Sequence, residues 1–513
     1  MRQGTKNIFF LITILLLAAV LRFYRLDEIP GEIYGDIVIV FNYVWRILEG
    51  LWPFDFVLSP GPLYHYAIAP IVILLGQSYL TLKIASVLIS LVTIVVTFLF
   101  AKEFTTKKVA LITSLVTAIS TWVLIFGRLG NSQIIIPLLV VLAYYFLLKW
   151  FKSYPRGKNS RLYCVLTIIS ASLGWYTYPQ TFILPILVGG TIGIIIFLEK
   201  KVKKEDKRKD FYSLIGLSIL CSFPFVNIVI NNPSNFTSGY IGGHIFVQQS
   251  LTDIFRQILI NLIHTLGMFH FRGDMVFRSN ISGLPHLDRL SGLFFLLGMI
   301  IMLKRNKKKT FLFGIIPTFI LLLPSVMVLN QPQEVPSASR SIGITPFVYL
   351  FTAAGLFWIF SILRKRVGKF LSIITVTIFF VCISYSNLFN YFFLWVYGLP
   401  NHNIPFGRLI ADEISKLPPQ TKVYLTSCCW GDWGQPEPEG IFYALPEHTR
   451  SRIIYNSQLQ CKDIDKNVSN LIVFNPKDAQ KITMFEKCFQ EKTEIYKKNG
   501  ETVAAFLSPI PKK

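Results

Sequence analysis

The feature that most constrains this sequence is a series of apolar segments that approach the thickness of a bilayer in length. A helix that spans a membrane needs about 20 mostly apolar residues. Only 15% of the 513 residues are charged, against about 25% in soluble proteins, and the mean hydropathy is +0.51. We therefore predict a mostly α, polytopic membrane protein with apolar segments at 7–23, 62–76, 84–101, 109–126, 134–148, 162–177, 181–198, 211–230, 291–303, 310–329, 342–361 and 369–388.

Basic residues predict how these segments cross the membrane. The formal net charge is +23, but Lys and Arg form short clusters between apolar runs. That layout is typical of cytoplasmic loops and argues against a nucleic-acid partner. The main clusters lie at 102–108, 149–161, 200–209, 304–309 and 364–369.

The segment 62–76 decides the topology. It contains Pro62, His65 and Pro70, and its uninterrupted apolar stretch is short. If it crossed the bilayer, every later basic cluster would lie outside. We therefore predict that it is a juxtamembrane helix and that eleven other segments span the plasma membrane. The N-terminus is then cytoplasmic and the C-terminus extracytoplasmic.

This topology predicts two domains and two long outside loops. Residues 1–388 form the transmembrane domain, with outside loops at 24–83 and 231–290. Residues 389–513 lose the apolar runs and gain Pro, Asp, Glu and Lys. Short buried strands at 423–426 and 471–474 and an amphipathic helix at 406–416 predict a small extracytoplasmic α/β domain.

Four of the seven cysteines lie in this predicted domain. Cys428, Cys429, Cys461 and Cys488 permit one or two disulfides in an oxidising compartment, or four free thiols. Their spacing does not match a zinc site. The nucleotide- and metal-binding signatures of soluble enzymes are also absent, so polar residues on the outside face must carry any chemistry.

Asp36 is the best candidate for a catalytic group. It opens a helix-like stretch in the first outside loop, and Gly50 ends that stretch. It could be a helix cap or a carboxylate held at the membrane surface as a general base. The two roles are compatible, because a helix N-terminus favours a negative charge and a base must be ionised. Glu32 lies four residues earlier and could line the same cavity.

Several motifs carry a family resemblance. They are Tyr34-Gly35-Asp36, Pro60-Gly61-Pro62-Leu63-Tyr64, Gly127-Arg128 with Pro137-Leu138-Leu139, a stretch at 271–288 and another at 336–343. In this order and topology they resemble the GT-C glycosyltransferases, in particular the branch of protein O-mannosyltransferases and lipid A aminoarabinose transferases. The resemblance is best over 20–190. It implies a GT-C-like bundle, a polyprenyl-phosphate sugar as donor and a catalytic aspartate in the first outside loop.

The sequence departs from this family at the acids. Many relatives have a second acid directly after the first-loop aspartate, where this sequence has Ile37 after Asp36. Many also have a carboxylate five residues after the arginine of the second outside loop, where this sequence has Gln133 after Arg128. We therefore predict transfer without a metal ion or other cofactor. Asp36 would deprotonate an acceptor hydroxyl, and one displacement would invert the anomeric centre.

The leaving phosphate is an anion, so cations should surround it. Arg340 is the strongest candidate because arginine binds phosphate through a planar fork of donors. Arg340 and Arg128 could equally be interfacial anchors, and Asp274 could pair with a neighbouring arginine as a structural group. The predicted substrate-binding residues are Glu32, Tyr64, Arg128, Tyr176, Tyr178, Arg272, Asp274 and Arg340.

Two other functions compete with a glycosyltransferase. A transporter or flippase for polyprenyl-linked glycans would need polar residues lining a path through several spans. A receptor would leave the first-loop aspartate unexplained. The gathering of polar residues on one face favours a transferase whose acceptor is a protein, lipid or glycan.

Overall fold

The structure of the protein is a computed structural model. It describes residues 3–56, 61–155, 157–199, 203–233, 250–426, 428–431, 434–456, 458–465 and 467–509. Pro60 of the family motif and residues 234–249 of the second predicted outside loop lie outside the described residues.

The membrane part is built from helices that we number α1–α15. Each of the eleven predicted spans coincides with one or two of them. Their bounds are α1 (Gln3–Phe23), α2 (Asp36–Leu48), α3 (Pro62–Leu75), α4 (Tyr79–Phe104), α5 (Lys107–Ile119), α6 (Thr121–Arg128), α7 (Ile135–Ser153), α8 (Ser160–Ser172), α9 (Ile183–Leu198), α10 (Lys204–Asn231), α11 (Leu251–Gly267), α12 (Arg289–Arg305), α13 (Lys307–Val326), α14 (Ala338–Arg366) and α15 (Lys369–Gly398).

Among the described residues, seven helices are long and apolar enough to cross a membrane, and eight if α5 and α6 count as one span bent by 59°. The mostly α, polytopic architecture is therefore confirmed, while the count of eleven spans and the orientation of the termini stay predictions. Helix α3 has 14 residues, about 21 Å of helix, which is shorter than the bilayer core of about 30 Å. Its length agrees with the predicted juxtamembrane position.

Helix α14 is the centre of the bundle. Every residue from Thr345 to Leu356 is buried, as expected for a helix surrounded by others. Glycines allow α12 to approach it closely: a Cβ on Gly298 would lie 1.8 Å from the Phe351 carbonyl oxygen, and a Cβ on Gly355 would lie 2.2 Å from that of Phe294. This is the small-residue packing that is common between membrane helices.

The chain ends in the predicted α/β domain. Its strands are β1 (Lys422–Leu425), β2 (Ile453–Tyr455), β3 (Asn470–Phe474), β4 (Glu494–Lys498) and β5 (Glu501–Leu507), and its helices are α16 (Phe406–Ser415), α17 (Pro438–Ala444), α18 (Glu447–Arg450) and α19 (Ala479–Phe489). The sheet order is β2-β1-β3-β5-β4. The first three strands are parallel, and β5 pairs antiparallel with β3 and β4.

The predicted boundary at 388–389 falls inside a helix. Helix α15 continues to Gly398 through a π-helical turn at Asn390–Trp395, so the α/β domain begins beyond it. The sequence permits either disulfides or free thiols in this domain. In the structure its four cysteines form two disulfides, Cys428–Cys429 and Cys461–Cys488.

Candidate active site

The α/β domain covers one end of the bundle, which we call the domain end. The loop between α1 and α2 lies under it. The Gly31 amide donates to Asn403 Oδ1 at 2.7 Å, and Arg408 pairs with Asp27 at 2.9 Å. The opposite end, which we call the basic end, carries Lys149 and Lys152. Polar groups of the first loop therefore face the domain.

Asp36 stands in this loop at the start of α2. The predicted helix is confirmed: it runs from Asp36 to Leu48 with Gly35 as the residue before it. Asp36 is thus the first residue of the helix and Gly35 takes the cap position. The carboxylate lies in the first turn, where the helix dipole stabilises negative charge, and its side chain is 31% exposed.

Arg278 brings a positive charge to Asp36. Its Nη2 lies 3.7 Å from Asp36 Oδ2, and its own side chain is 34% exposed. The neighbouring Phe277 is fixed on both sides: its ring packs edge-on against Tyr34, and its carbonyl oxygen accepts from Trp395 Nε1 at 2.8 Å. The loop of residues 268–288 is therefore held so that Arg278 reaches over Gly35.

Asp274 links the same loop to the start of α14. It is buried, and its two oxygens accept from the backbone amides of Val276, at 2.8 Å, and Ala338, at 2.7 Å. Burial raises the pKa of Asp274 to about 6, while those two hydrogen bonds and the nearby Arg340 act in the opposite direction. Asp274 is therefore an internal brace in this geometry.

Arg340 lies two residues after Ala338, whose amide binds Asp274. It is mostly buried and pairs with Glu334 at 2.6 Å. Gln180 Nε2 donates to the Ser339 carbonyl at 2.7 Å, which ties the loop after α8 to the same place. The predicted residues Tyr178, Asp274 and Arg340 thus belong to connected loops at the domain end.

Tyr176 lies at the edge of a side opening. Its hydroxyl donates to the Cys221 carbonyl at 2.6 Å. It lines an almost entirely apolar cavity of about 390 Å³ between α3, α8 and α10, together with Phe54, Leu63 and Leu220.

Three predicted substrate-binding residues are used internally. Glu32 accepts from the amides of Gly407, at 2.7 Å, and Ile33, at 3.0 Å. The Tyr64 hydroxyl bonds Ser86 at 3.1 Å in the core. We leave these residues out of the site, and we also leave out Arg128, whose guanidinium is buried and donates to the carbonyls of Leu21 and Tyr24.

Glu32 joins the bundle to the first turn of α16. Burial raises the pKa of Glu32 to about 7, and the amides of Gly407 and Ile33 work against that shift. A Cβ on Gly407 would lie only 2.8 Å from Glu32 Oε1. The contact therefore needs both the carboxylate and the glycine.

Arg272 is the most open of the predicted cations. Its side chain is exposed and has no ion pair within the described ranges; its Nη2 contacts Met275 Sδ at 3.5 Å. The described residues contain no group of three His, Cys, Asp or Glu side chains that could hold a metal ion. The prediction of metal-independent chemistry stays a prediction.

The structure is a helical membrane bundle with a small α/β domain at one end, the end at which Asp36 lies. ArnT from Cupriavidus metallidurans has this fold: its apo structure matches with a TM-score of 0.60 at 12% identity, covering 99% of this chain and 98% of ArnT. The structure of ArnT bound to undecaprenyl phosphate matches with a TM-score of 0.59 at 11% identity, over 96% and 97%.

Other comparisons agree. The archaeal oligosaccharyltransferase AglB from Archaeoglobus fulgidus, in complex with an inhibitory peptide and a dolichol-phosphate, matches with a TM-score of 0.52 at 11% identity, over 99% of this chain and 74% of AglB. Residues 59–226 match the family model of dolichyl-phosphate-mannose-protein mannosyltransferases. No curated protein matches in sequence. The predicted resemblance to GT-C glycosyltransferases is confirmed, and the chain has their fold.

Proposed function

We propose that the protein is an inverting glycosyltransferase. It moves a hexose or related sugar from a polyprenyl-phosphate donor to an acceptor hydroxyl at the domain end. The observation that carries this proposal is the half-open Asp36–Arg278 pair, which stands at the first turn of α2 beneath the α/β domain. The pair supports the proposal because a carboxylate that would serve as the base and a cation that would bind phosphate lie together in a fold similar to that of ArnT.

Asp36 accepts the proton of the acceptor hydroxyl. The acceptor oxygen then forms a bond to the anomeric carbon as the bond from that carbon to the phosphate oxygen breaks. The electron pair of the broken bond leaves with polyprenyl phosphate, and the configuration inverts. A retaining reaction needs a second carboxylate as nucleophile; Glu32 and Asp274, the nearby buried acids, already accept backbone hydrogen bonds.

Cations at the domain end would stabilise the leaving phosphate. Arg278 and Arg272 are accessible, and Arg340 lies at the start of α14, which Asp274 joins to the same loop. Arginine forms charge-assisted bidentate hydrogen bonds with phosphate. The apolar cavity beside Tyr176 would take part of the polyprenyl chain.

The orientation follows from charge. The basic end bears the lysine-rich loops, which favour the cytoplasm. The domain end, and with it the proposed reaction, would then face outward from the plasma membrane.

The test is transfer from a panel of radiolabelled polyprenyl-phosphate sugars in membranes that carry the wild-type protein or Asp36→Asn. We expect wild-type transfer that a chelator leaves unchanged and that Asp36→Asn lowers by about 10²–10⁴-fold, the usual contribution of a general base. Undiminished transfer by Asp36→Asn would contradict the assignment of the base.

Two further outcomes distinguish the rest of the proposal. Transfer that a chelator abolishes would keep the enzyme class and remove the metal-free mechanism. Movement of an intact lipid-linked glycan across the membrane without transfer would favour the transporter or flippase instead.

A further inference from the structure

A large cavity lies at the basic end, at the opposite end of the bundle from Asp36. It has a volume of about 1050 Å³ and opens between the α7–α8 connection, the start of α8 and the start of α10. Its size is at the upper end of the range for small-molecule sites. The proposed transfer reaction makes no use of it.

The cavity is strongly cationic. Among the described residues, its lining has four cations, Lys158, Arg161, Lys203 and Lys209, and one carboxylate, that of Asp210, which accepts from the Tyr154 hydroxyl at 3.0 Å. None of the four cations has an ion pair within the part of the chain that the structure describes.

Other lysines at this end differ in that respect. Lys149 and Lys152 both pair with Glu103, at 3.1 and 2.5 Å. Lys309 donates to the backbone carbonyl of Phe104 at 2.9 Å. The four cations of the cavity, unlike Lys149 and Lys152, therefore have no ion-pair partner among the described residues.

One wall of the cavity is apolar. Trp150, Val165 and Leu217 lie on it, and Ile168 and Leu214 line both this cavity and a second one of about 430 Å³ between α8, α9 and α10. The lining of the second cavity is mostly aliphatic and aromatic. The charged cavity, which we call the chamber, and the apolar groove along α8 and α10 are therefore adjacent and share the side chains of Ile168 and Leu214.

We propose that this chamber binds the phosphate-bearing headgroup of an anionic membrane lipid, with an acyl chain in the adjoining groove. Basic pockets between membrane helices bind anionic headgroups in this way, and arginine and lysine suit phosphate. The positive-inside rule accounts for basic loops, but it does not require a cationic chamber beside an apolar groove.

The proposal is tested by lipid binding to the purified full-length protein in uncharged detergent. Binding of phosphatidylglycerol, phosphatidylcholine and soluble glycerol phosphate is compared by native mass spectrometry and by thermal shift. The triple variant Lys158→Gln/Arg161→Gln/Lys209→Gln removes three of the four positive charges that line the chamber. The control Lys304→Gln/Lys307→Gln/Lys308→Gln removes the same charge from exposed positions at the same end.

We expect phosphatidylglycerol to bind in preference to phosphatidylcholine, and the chamber variant to weaken it about tenfold or more, with little effect of the control. Leu214→Trp adds bulk to a side chain that lines both the chamber and the apolar groove. It should weaken binding of the lipid and leave binding of glycerol phosphate unchanged. Equal losses in both triple variants, equal binding of the two lipids, or glycerol phosphate binding as tightly as the lipid would overturn the proposal.

Discussion

Arg278 holds its guanidinium 3.7 Å from the carboxylate of Asp36, with about a third of each side chain exposed. An exposed ion pair of this kind contributes at most about 1 kcal/mol to stability. We therefore expect its consequence in the proposed reaction, in which the arginine would orient the base and meet the charge that develops on the phosphate.

The first prediction concerns Arg278 itself. Arg278→Gln should lower kcat/KM for sugar transfer by about tenfold or more, since a cation that meets the leaving group acts in the transition state. Arg278→Lys should recover part of the loss. The control is Arg289→Gln, an exposed arginine at the start of α12. Equal rates for Arg278→Gln and Arg289→Gln would remove Arg278 from the site.

The second prediction uses two glycines that flank α2. A Cβ on Gly35 would lie 2.3 Å from Arg278 Nη1, whereas a Cβ on Gly50 meets nothing within 4 Å. Both residues have positive φ, +49° and +76°, so both alanine variants are strained. The end of the arginine side chain can move, so Gly35→Ala should displace it from Asp36.

Gly35→Ala should therefore reproduce the loss of transfer of Arg278→Gln, whereas Gly50→Ala should transfer at nearly the wild-type rate per folded molecule. Initial rates, normalised to the folded fraction from a thermal melt, provide the comparison. If Gly50→Ala lost as much activity as Gly35→Ala, strain in α2 would explain the loss and the clash with Arg278 would not.

Much of the architecture could be predicted because it depends on local signals. The helix that opens at Asp36, the helix at 406–415 and the buried strands β1 and β3 all follow from apolar periodicity and from turn residues at their ends. The end of α15 could not be predicted in this way. The aromatic residues after Phe389 continue the helix through a π-helical turn, and no local sequence signal marks that turn.

The site was harder to predict because its contacts join distant parts of the chain. Arg278 was visible as one basic residue of a long loop, but nothing local indicates that it meets Asp36. The spacing of Glu32 to Asp36 predicts that it lines the same cavity as Asp36; in the structure it accepts from the Gly407 amide, and its role toward substrate stays a prediction. That contact depends on how the α/β domain lies on the bundle, which residue spacing does not encode.

The third prediction concerns the anchor of the first loop. Lys83 is buried and its Nζ donates to the carbonyl oxygens of Leu26, Asp27 and Pro30, at 2.9, 3.2 and 2.5 Å. Lys83→Met keeps most of the length of the side chain and leaves these carbonyls without their donor. A buried polar group left without its hydrogen-bond partner costs about 1–3 kcal/mol, so we expect a clear loss of thermal stability.

Because the loop leads directly to Asp36, Lys83→Met should also lower transfer. The matched control is Lys102→Met, which changes a lysine at the other end of the same helix. Thermal midpoints and initial rates are measured for both variants. Wild-type stability in Lys83→Met would show that the three carbonyls do not depend on the lysine.

The fourth prediction concerns pH and the contact between the two domains. Burial raises the pKa of Glu32 from its ordinary 4.5 to about 7. Between these values the folded protein binds more protons than the unfolded chain, so stability should fall as pH rises from about 4.5 to 7 and then level off. At 1.36 kcal/mol per pKa unit, the group accounts for about 3 kcal/mol of this change.

Glu32→Gln cannot titrate and should flatten that part of the stability profile, which is measured as the thermal midpoint against pH. The exposed Glu49→Gln serves as the control and should keep the wild-type slope. Gly407→Ala should lower stability, because its Cβ would lie 2.8 Å from Glu32 Oε1 and 3.1 Å from Pro436 Cβ. An unchanged slope in Glu32→Gln would mean that another group causes the pH dependence. A flattened slope would identify Glu32 as a proton-sensitive contact between the bundle and the domain that covers Asp36.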